Sequence, residues 1–506
     1  MTSRMISLDP NRHKPLYVQI RDQIREQIET GTLRAGDRLE PSRELARNLG
    51  VHRTTVGNAY ADLEAQGLIR GDVGRGTYVL SSLSKESPEP ARESSEFYWE
   101  SLFTKGQQDD SLPRLLASAQ EPGVISFAVT HGPLDPDLAE IVRRVTNSVL
   151  RREGARLLQY GSSEGYAPLR TYLQELLRRD GIAAETDEIL ITNGCQQSLD
   201  LLSRVLVEPG DVVACENPAY TGLSSVFNSP LARLAGIPVG TAGMDLDRLV
   251  SVLDRHRVKL ILTSPNFQNP TGRTLPLEAR KKLLEIATHY QVPVVEDDIY
   301  GALRFQGPPL PPLKSLDRTG LVVHLNSFSK IGFPGLRVGW VVGSRPLVQR
   351  LRLAKQQADL HTNMLGQAVL EDLGKRGLLE KIMRKARTVY AQKLATLRTA
   401  AEQSFPEGVD CFYPEGGMSV WVTLPAGLNS MDLLAKARER GVIFAPSRYF
   451  YFQEPQDNAL RLCFSALAKD EIGKGIQILG GVFREEIRKA VVTKKTNGAA
   501  VGMALV

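Results

Sequence analysis

Five short apolar runs, separated by stretches with helical periodicity or turn residues, constrain the fold of this chain more than any other feature. They are Ile189-Leu190-Ile191-Thr192, Val212-Val213-Ala214-Cys215, Leu260-Ile261-Leu262-Thr263, Val294-Val295-Glu296-Asp297 and Leu321-Val322-Val323-His324-Leu325. Strands that alternate with helices form a mostly parallel sheet covered by helices on both faces. We therefore predict an α/β domain whose ligand site lies at the carboxyl ends of these strands.

Polar and glycine-rich motifs follow the runs at the predicted site. The first run leads into Thr192-Asn193-Gly194-Cys195-Gln196-Gln197 at the start of a helix, where exposed backbone amides can hold a phosphate. The fifth leads into Ser327-Phe328-Ser329-Lys330, with Arg337 seven residues after the lysine. A lysine amine beside a phosphate site can bond to an aldehyde cofactor. An isolated Ser-x-Ser-Lys is more often a surface lysine, so this interpretation depends on the other motifs.

Residues 1–80 carry the pattern of a winged helix-turn-helix. Leu16, Ile20, Ile24 and Ile28 form one helical stripe, and two short helices joined at Gly50 follow it. Two strand-like runs then flank a glycine-rich loop. The GntR family of DNA-binding domains is similar in three segments: Leu39-Glu40-Pro41-Ser42-Arg43, Leu49-Gly50-Val51-His52-Arg53-Thr54-Thr55-Val56 and Gly74-Arg75-Gly76-Thr77-Tyr78-Val79. In that family a small or apolar residue is usual where Glu40 stands.

The GntR resemblance implies that the third helix enters the major groove by its N-terminal end and that the wing lies against the minor groove. The residues it brings to base edges, phosphates or the minor groove are His52, Arg53, Thr54, Thr55, Arg43, Arg75 and Gly76. The alternative for each arginine is a solvated surface charge. Composition does not decide between them, because residues 1–80 hold 12 Lys and Arg against 10 Asp and Glu.

A length of 506 residues favours several domains. We predict the winged helix-turn-helix at residues 1–80, a linker at 81–118, the large domain at 119–485 and a disordered tail at 486–506. The linker is rich in Ser, Pro and Glu, and residues 81–112 hold 3 Lys and Arg against 7 Asp and Glu. Such a segment cannot bury enough apolar surface to fold alone.

In the large domain, the order of six motifs is similar to the fold-type I aminotransferases that use pyridoxal phosphate: Gly-x-Gln, Asn-Pro-x-Tyr, Asn-Pro-Thr-Gly, Asp-x-x-Tyr, Ser-x-Ser-Lys and Gly-x-Arg-x-Gly. The resemblance covers residues 120–485 and implies a mostly parallel sheet with a smaller C-terminal α/β part. By this resemblance Lys330 bonds to the cofactor, and Asp297 pairs with the pyridinium nitrogen so that the ring can act as an electron sink. Asp298 is the competitor, but only Asp297 stands three residues before Tyr300, the third catalytic residue.

The resemblance also implies that Asn269 and Tyr300 hydrogen-bond the phenolic oxygen of the cofactor and that Tyr220 stacks on its ring. The residues implied to bind the phosphate are Gly194, Cys195, Gln196, Ser327, Ser329 and Arg337. Tyr160 resembles a tyrosine that reaches the phosphate of the neighbouring subunit, which implies a domain-swapped homodimer; a packed core tyrosine is the alternative. Arg461 matches the arginine that binds a substrate carboxylate, and a structural salt bridge is its alternative. Ser447 stands where a glycine is frequent and leaves the ligand open.

A GntR-like winged helix joined to an aminotransferase-like domain resembles the MocR subfamily of bacterial transcription regulators. The resemblance implies a pyridoxal-phosphate-dependent regulator that binds promoter DNA and senses a small amino compound or the cofactor itself. An active aminotransferase with an accessory DNA-binding domain is the alternative. The sequence has no long apolar run and no apolar signal core, so we expect no membrane contact and a cytoplasmic location. Four scattered cysteines without a C-x-x-C pair argue against disulfides and a metal site.

Overall fold

The computed structural model describes residues 6–9, 14–72, 76–80, 111–119, 121–130, 132, 136–227 and 232–502, without the side chains of 72, 136, 224 and 491–502. The chain divides into two compact units, Met1–Lys105 and Gly106–Val506. Most of the predicted linker, residues 81–110, lies outside the described residues. Its last part, 111–118, is helical and belongs to the second unit.

The α-helices are α1 Leu16–Glu29, α2 Ser42–Asn48, α3 Arg53–Ala65, α4 Ser111–Ser118, α5 Pro136–Glu153, α6 Ala167–Arg179, α7 Cys195–Leu206, α8 Thr221–Phe227, α9 Leu246–Arg255, α10 Leu277–Tyr290, α11 Leu313–Leu316, α12 Arg345–Asp359, α13 Met364–Lys375, α14 Leu378–Ser404, α15 Ser430–Glu439 and α16 Lys469–Gly502. The strands are β1 Arg38–Leu39, β2 Ile69–Asp72, β3 Gly76–Val79, β4 Ile125–Ser126, β5 Ile189–Thr192, β6 Asp211–Asn217, β7 Ala232–Gly240, β8 Gly243–Met244, β9 Val258–Thr263, β10 Val294–Asp297, β11 Val322–Ser327, β12 Gly339–Val342, β13 Asp410–Phe412, β14 Ser419–Thr423, β15 Val442–Ile443, β16 Ala445–Pro446 and β17 Ala459–Cys463.

The first unit is a winged helix-turn-helix. Its core contains the buried stripe of α1, Ile20, Ile24 and Ile28, together with Val56 and Leu63 from α3. The turn between α2 and α3 passes through Gly50 at φ 67°, a left-handed conformation that glycine adopts without strain. Strands β1, β3 and β2 form an antiparallel sheet in that order, which confirms the two predicted strands of the wing; residues 73–75 of its loop lie outside the described residues.

The second unit is built on an eight-stranded sheet in the order β5-β12-β11-β10-β9-β6-β7-β8. Neighbours from β11 through β7 are parallel, whereas β12 runs antiparallel to both β11 and β5. The mostly parallel sheet is therefore confirmed, and each of the five apolar runs contributes one of its strands. Because β12 runs against its neighbours, its first residue lies beside the last residues of β5 and β11.

Both faces of this sheet are buried, which explains why the runs are apolar throughout rather than alternating. Residues such as Val213 and Val295 face one cluster with α7, α8 and α12, while Ala214 and Val294 face another with α9 and α10. A smaller antiparallel sheet, β13-β14-β17-β16, and the parallel pair β15-β4 complete the expected C-terminal α/β part.

The C-terminal helix is longer than the sequence indicated. A disordered tail was expected over residues 486–506, whereas α16 continues to Gly502, and only 503–506 lie outside the described residues. Arg440 Nη2 on the α15 side pairs with Glu485 at 2.7 Å, and Lys436 pairs with Glu486. These ion pairs hold the middle of the helix against α15, a tertiary contact that composition does not reveal.

Candidate cofactor site and DNA-binding surface

The lysine segment forms the loop between β11 and β12, at the carboxyl end of the sheet. The strand register pairs Ser327 with Gly339 and Gly339 with Thr192, so the ends of β5 and β11 meet the start of β12. A Cβ on Gly339 would lie 2.8 Å from the Gly194 Cα. The bare glycine thus lets the turn after β5 approach the lysine loop as the motif order predicted.

The turn before α7 is shaped to present backbone amides. Gly194 precedes the first residue of α7 at φ 86°, and no side chain caps the helix. A Cβ on Gly194 would lie 2.8 Å from Arg337 Nη2, which instead donates to the Asn193 carbonyl at 3.0 Å. The exposed Arg337 has no carboxylate partner among the described residues. An uncapped helix N-terminus beside a guanidinium that has no carboxylate partner among the described residues is suited to an anion such as phosphate.

The other phosphate-side residues lie around this turn. The Cys195 thiol hydrogen-bonds with Ser327, and burial raises the pKa of that thiol well above its usual value. The Ser329 amide donates to Ser327 Oγ at 3.3 Å. Gln196 Nε2 donates to the Gly222 carbonyl at 3.1 Å, while Gln196 Oε1 is buried without a hydrogen-bond partner among the described residues.

Lys330 is held by a residue that sequence reasoning missed. Its Nζ donates to the Thr130 carbonyl oxygen at 2.8 Å and to Thr130 Oγ1 at 3.1 Å, and it lies 5.9 Å from the centroid of the Tyr300 ring. Burial lowers the pKa of the Lys330 ammonium to about 8. A larger fraction of this amine is therefore neutral near pH 7 than of a surface lysine, and the neutral amine is the nucleophile.

The two neighbouring aspartates have different environments. Asp298 Oδ1 accepts from Asn266 Nδ2 at 2.6 Å, and Asn266 in turn accepts from the buried Arg280 at 2.6 Å. Asp297 is 5% exposed, and its Oδ1 has no hydrogen-bond partner in the described parts of the chain. Burial raises the pKa of Asp297 to about 6. Asp298 is thus committed to a structural network, whereas Asp297 keeps one oxygen available for a ligand.

Arg461 is buried with neutral partners. Its Nη1 donates to Asn269 Oδ1 and its Nη2 donates to the Ala128 carbonyl, each at 2.7 Å, while the Phe450 ring centroid lies 4.8 Å from the guanidinium carbon. No described carboxylate forms the salt bridge that was the structural alternative for this arginine. A guanidinium without a counter-charge is suited to a carboxylate ligand.

The three tyrosines differ in exposure. Tyr300 is buried, which raises the pKa of its phenol above the usual range. Tyr220 follows β6 and packs against Gly222 at the rim of the site, with 37% of its surface exposed. Tyr160 is 85% exposed, and its ring meets the edge of the His361 ring with centroids 5.9 Å apart, so it is not the packed core residue of the alternative interpretation.

These observations fit a pyridine cofactor that carries a phosphate. The unpaired Asp297 oxygen suits a ring N–H, and the Gly194 turn with Arg337 suits a phosphate. The Lys330 amine is near enough to both Asp297 and Cys195 for their charges to act on it. The described side chains include no group of three or more His, Cys, Asp or Glu that could hold a metal ion. No helix in the described parts is long and apolar enough to cross a membrane.

In the winged helix-turn-helix, the start of α3 carries exposed side chains. Arg53 and Thr54 are exposed there and Thr55 is half-buried, and Arg43 on α2 is exposed as well. His52 caps α3, because its Nδ1 accepts from the Thr54 backbone N–H at 3.5 Å, and the same nitrogen hydrogen-bonds with Thr54 Oγ1 at 2.8 Å. Gly76 begins β3 at φ 116°, and Arg75 lies outside the described residues.

A further arginine beside the wing was not identified from the sequence. A Cβ on Gly76 would lie 2.7 Å from Arg38 Nε, so this side chain crosses the start of β3. The motif pattern carried no signal for Arg38, because its position depends on the pairing of β1 with β3.

Comparisons with known proteins agree with this arrangement. Residues 125–479 match the family Aminotransferase class I and II, and residues 16–79 match Bacterial regulatory proteins, gntR family. The structure of LysN, an α-aminoadipate aminotransferase from Thermus thermophilus complexed with N-(5'-phosphopyridoxyl)-L-leucine, is similar with a TM-score of 0.72 and 36% identity, covering 78% of this chain and 100% of that one.

Two regulators match along nearly their whole length. HTH-type transcriptional regulator TauR from Rhodobacter capsulatus is 31% identical over 487 residues, covering 94% of this chain and 98% of the relative. Probable rhizopine catabolism regulatory protein MocR from Rhizobium meliloti is 28% identical over 481 residues, covering 95% and 96%. The chain therefore belongs to the aminotransferase class I and II family and, with its gntR-family domain, to the MocR subfamily of helix-turn-helix regulators.

Proposed function

We propose that this protein is a transcription regulator that binds promoter DNA through its first unit and pyridoxal phosphate through its second. The observation that carries the proposal is that both kinds of domain share one chain, which aligns with full-length regulators over 94% and 95% of its own length. The second unit senses an amino compound or the cofactor itself, and the outcome is a change in promoter occupancy. Such a change is a coupling free energy between two distinct sites.

The cofactor-site chemistry divides between the two ends of the ligand. When bound, pyridoxal phosphate supplies an aldehyde that reacts with amines and a ring that accepts an electron pair. Lys330 provides the neutral amine, and the ionised Asp297 carboxylate holds a proton on the ring nitrogen. Tyr220 covers the ring face, and Asn269 and Tyr300 donate hydrogen bonds to the phenolic oxygen. These roles are supported by the unpaired Asp297 oxygen and the burial of Lys330 and Tyr300.

The phosphate is held by the residues around the Gly194 turn. In this proposal the α7 amides at Cys195 and Gln196 bind its oxygens together with the Ser327 and Ser329 hydroxyls, and the Arg337 guanidinium neutralises its charge. The free guanidinium and the uncapped helix support this role.

The effector carries a carboxylate in this proposal. Arg461 binds that group, since its present partners are an amide and a carbonyl oxygen rather than an anion. An amino acid or a related amino carboxylate would place its amine towards Lys330.

Promoter contact falls to the exposed start of α3, with Arg43 on the backbone and Arg75 with Gly76 in the minor groove. The test is a footprint of the full-length protein on the DNA upstream of its own gene, with and without pyridoxal phosphate and candidate amines. We expect protection that changes with one of these ligands. Arg53→Ala should weaken protection, whereas the matched variant Arg25→Ala, which removes an α1 arginine bonded to Gln66, should not. Failure to bind DNA under any of these conditions would overturn the regulator proposal.

Transamination is the second candidate function. Lys330, Asp297 and Arg461 all lie at the site described above, and the solved relative named above is an aminotransferase. Steady turnover of an amino acid with a keto acid, without promoter binding, would favour this alternative. We further propose a homodimer in which Tyr160 reaches the partner's phosphate, and a cytoplasmic location.

A further inference from the structure

An ion pair at the end of α12 lies behind the turn that begins α7. Lys355 Nζ donates to Asp359 Oδ1 at 2.7 Å, and the Lys355 side chain is fully buried. The second carboxylate oxygen, Asp359 Oδ2, accepts from Asn193 Nδ2 at 2.5 Å and from Gln197 Nε2 at 2.7 Å. One carboxylate therefore ties α12 to residues on both sides of Gly194.

The tied residues connect directly to the groups assigned to the phosphate. Gln197 Oε1 accepts from the Asn193 backbone N–H at 2.8 Å, which closes the turn. The Asn193 carbonyl accepts from Arg337 Nη2 at 3.0 Å, which orients the guanidinium. A continuous set of hydrogen bonds thus runs from Lys355 through Asp359 and Asn193 to Arg337.

We propose that Asp359, supported by Lys355, is a positioning residue that fixes the Asn193–Gly194 turn and the Arg337 guanidinium in the geometry that binds the cofactor phosphate. The inference rests on the proposed cofactor site and adds two residues that touch neither the phosphate nor the ring. Its physical basis is preorganisation: donors held in place before binding lose less conformational freedom when the anion arrives. The effect should therefore be specific to the phosphate end of the ligand.

The decisive experiment compares pyridoxal phosphate with pyridoxal, which has the same aldehyde and ring but no phosphate. In Asp359→Asn we expect affinity for pyridoxal phosphate to fall on the order of tenfold, the effect of losing a charge-assisted hydrogen bond. Affinity for pyridoxal, followed by the same absorbance titration, should be nearly unchanged. Calorimetric binding of inorganic phosphate should weaken in parallel with the phosphorylated cofactor. Equal losses for both aldehydes, or no loss, would show that Asp359 does not act on the phosphate.

A second variant guards against failure to fold. Asp359→Asn leaves the buried Lys355 ammonium without an anion, which is costly. Asn193→Ala keeps the ion pair and the carbonyl that binds Arg337, but removes the Asp359 contact to the turn. If Asp359→Asn does not fold, a selective loss of pyridoxal phosphate binding in Asn193→Ala supports the proposal, and wild-type selectivity in that variant refutes it.

The matched control is Glu371→Gln on α13. Glu371 is a buried carboxylate that, like the half-buried Asp359, pairs with a lysine four residues away, in this case the exposed Lys375, at 2.5 Å. This variant should be less stable than wild type but should keep the wild-type ratio of the two affinities. A wild-type protein that does not prefer pyridoxal phosphate over pyridoxal would refute the proposed cofactor site itself, an outcome distinct from the failure of this inference.

Discussion

At the scale of single residues, Asp297 is a buried carboxyl whose Oδ1 has no hydrogen-bond partner among the described residues. Burial disfavours the charged form of this carboxyl, and one of its oxygens has no hydrogen bond to offset the loss of water. Burial therefore raises the pKa of Asp297 from 3.8 to about 6. Burial raises the pKa of the neighbouring Asp298 to about 7, but its Oδ1 is satisfied by Asn266, which is bonded to Arg280. The strain at Asp297 is removed when a cationic ring N–H pairs with it, so the site is complementary to a protonated pyridine.

The first prediction concerns the stability of the cofactor-free protein against pH. Between about pH 4 and 6 the folded state retains a proton on Asp297 that the unfolded state has lost, so stability falls as pH rises through this window. Asp297→Asn removes this contribution. Between pH 4 and pH 7 the free energy of unfolding should therefore fall by roughly 2–3 kcal/mol more in wild type than in the variant. Urea unfolding at both pH values measures the difference, and parallel pH profiles for the two proteins would contradict it.

The second prediction concerns Lys330 and its covalent bond to the cofactor. Lys330→Ala should abolish the near-visible absorbance band that forms when wild type is mixed with pyridoxal phosphate. In wild type, the band should form faster as pH rises through about 8, because deprotonation supplies the nucleophile. The control Lys281→Ala removes an exposed α10 lysine paired with Glu278 and should leave the band intact. An unchanged band in Lys330→Ala would assign the bond to another amine.

At the scale of elements, the antiparallel strand β12 brings the parts of the site together. It places Gly339 beside the ends of both β5 and β11, and the approach of the Gly194 backbone leaves no space for a side chain there. Helices α7 and α12 pack on the same face of the sheet, so the α12 carboxylate can reach the start of α7.

The third prediction tests this close approach. Gly339→Ala should destabilise the protein by about 1–3 kcal/mol, because the new methyl group meets backbone atoms that must shift. It should also weaken pyridoxal phosphate binding, because the Gly194 turn moves. The control is Gly473→Ala in α16, where a Cβ meets nothing within 4 Å. In that helix alanine should be neutral or stabilising by about 0.5–1 kcal/mol. If urea unfolding shows the same change in stability for Gly339→Ala and Gly473→Ala, the close approach of Gly194 to Gly339 does not exclude a side chain.

At the scale of the whole molecule, the proposed homodimer would bring a second copy of the chain to the exposed residues near Tyr160. Tyr160 is 85% exposed, Leu158 is 70% exposed and Leu360 is 53% exposed. The His361 ring, which contacts the Tyr160 ring, lies two residues after Asp359 in the chain. Asp359 is the residue that hydrogen-bonds with Asn193 beside the Gly194 turn.

The fourth prediction is that each cofactor site needs two copies of the chain. At limiting pyridoxal phosphate, both Tyr160→Ala and Lys330→Ala should show little of the absorbance band alone. Mixed and allowed to exchange subunits, they should recover about a quarter of it, because half the dimers are mixed and each has one intact site. If the mixture shows no more of the absorbance band than the average of the two separate variants, the sites are not shared between subunits.

Helices and strands could be predicted from the sequence where a short stretch of the chain carries a clear residue pattern. The five buried strands were predicted because their apolar runs are short and bounded by turn residues. Strand β7 was missed, since Ala232–Gly240 contains glycine and proline, which weaken a strand signal. The continuation of α16 to Gly502 was missed because the polar and glycine residues of this segment indicated a disordered tail.

The sequence by itself determined the two domain types and the order of the site motifs, because each depends on local spacing or turn chemistry. The choice of Asp297 over Asp298 came from the aminotransferase resemblance and stays a prediction. Only the tertiary structure decided which residues support them. Thr130 holds Lys330 across 200 residues, and Asp359 holds Asn193 across 166. Contacts over such separations are set by the crossing of strands and helices in three dimensions, and no periodicity in the chain encodes them.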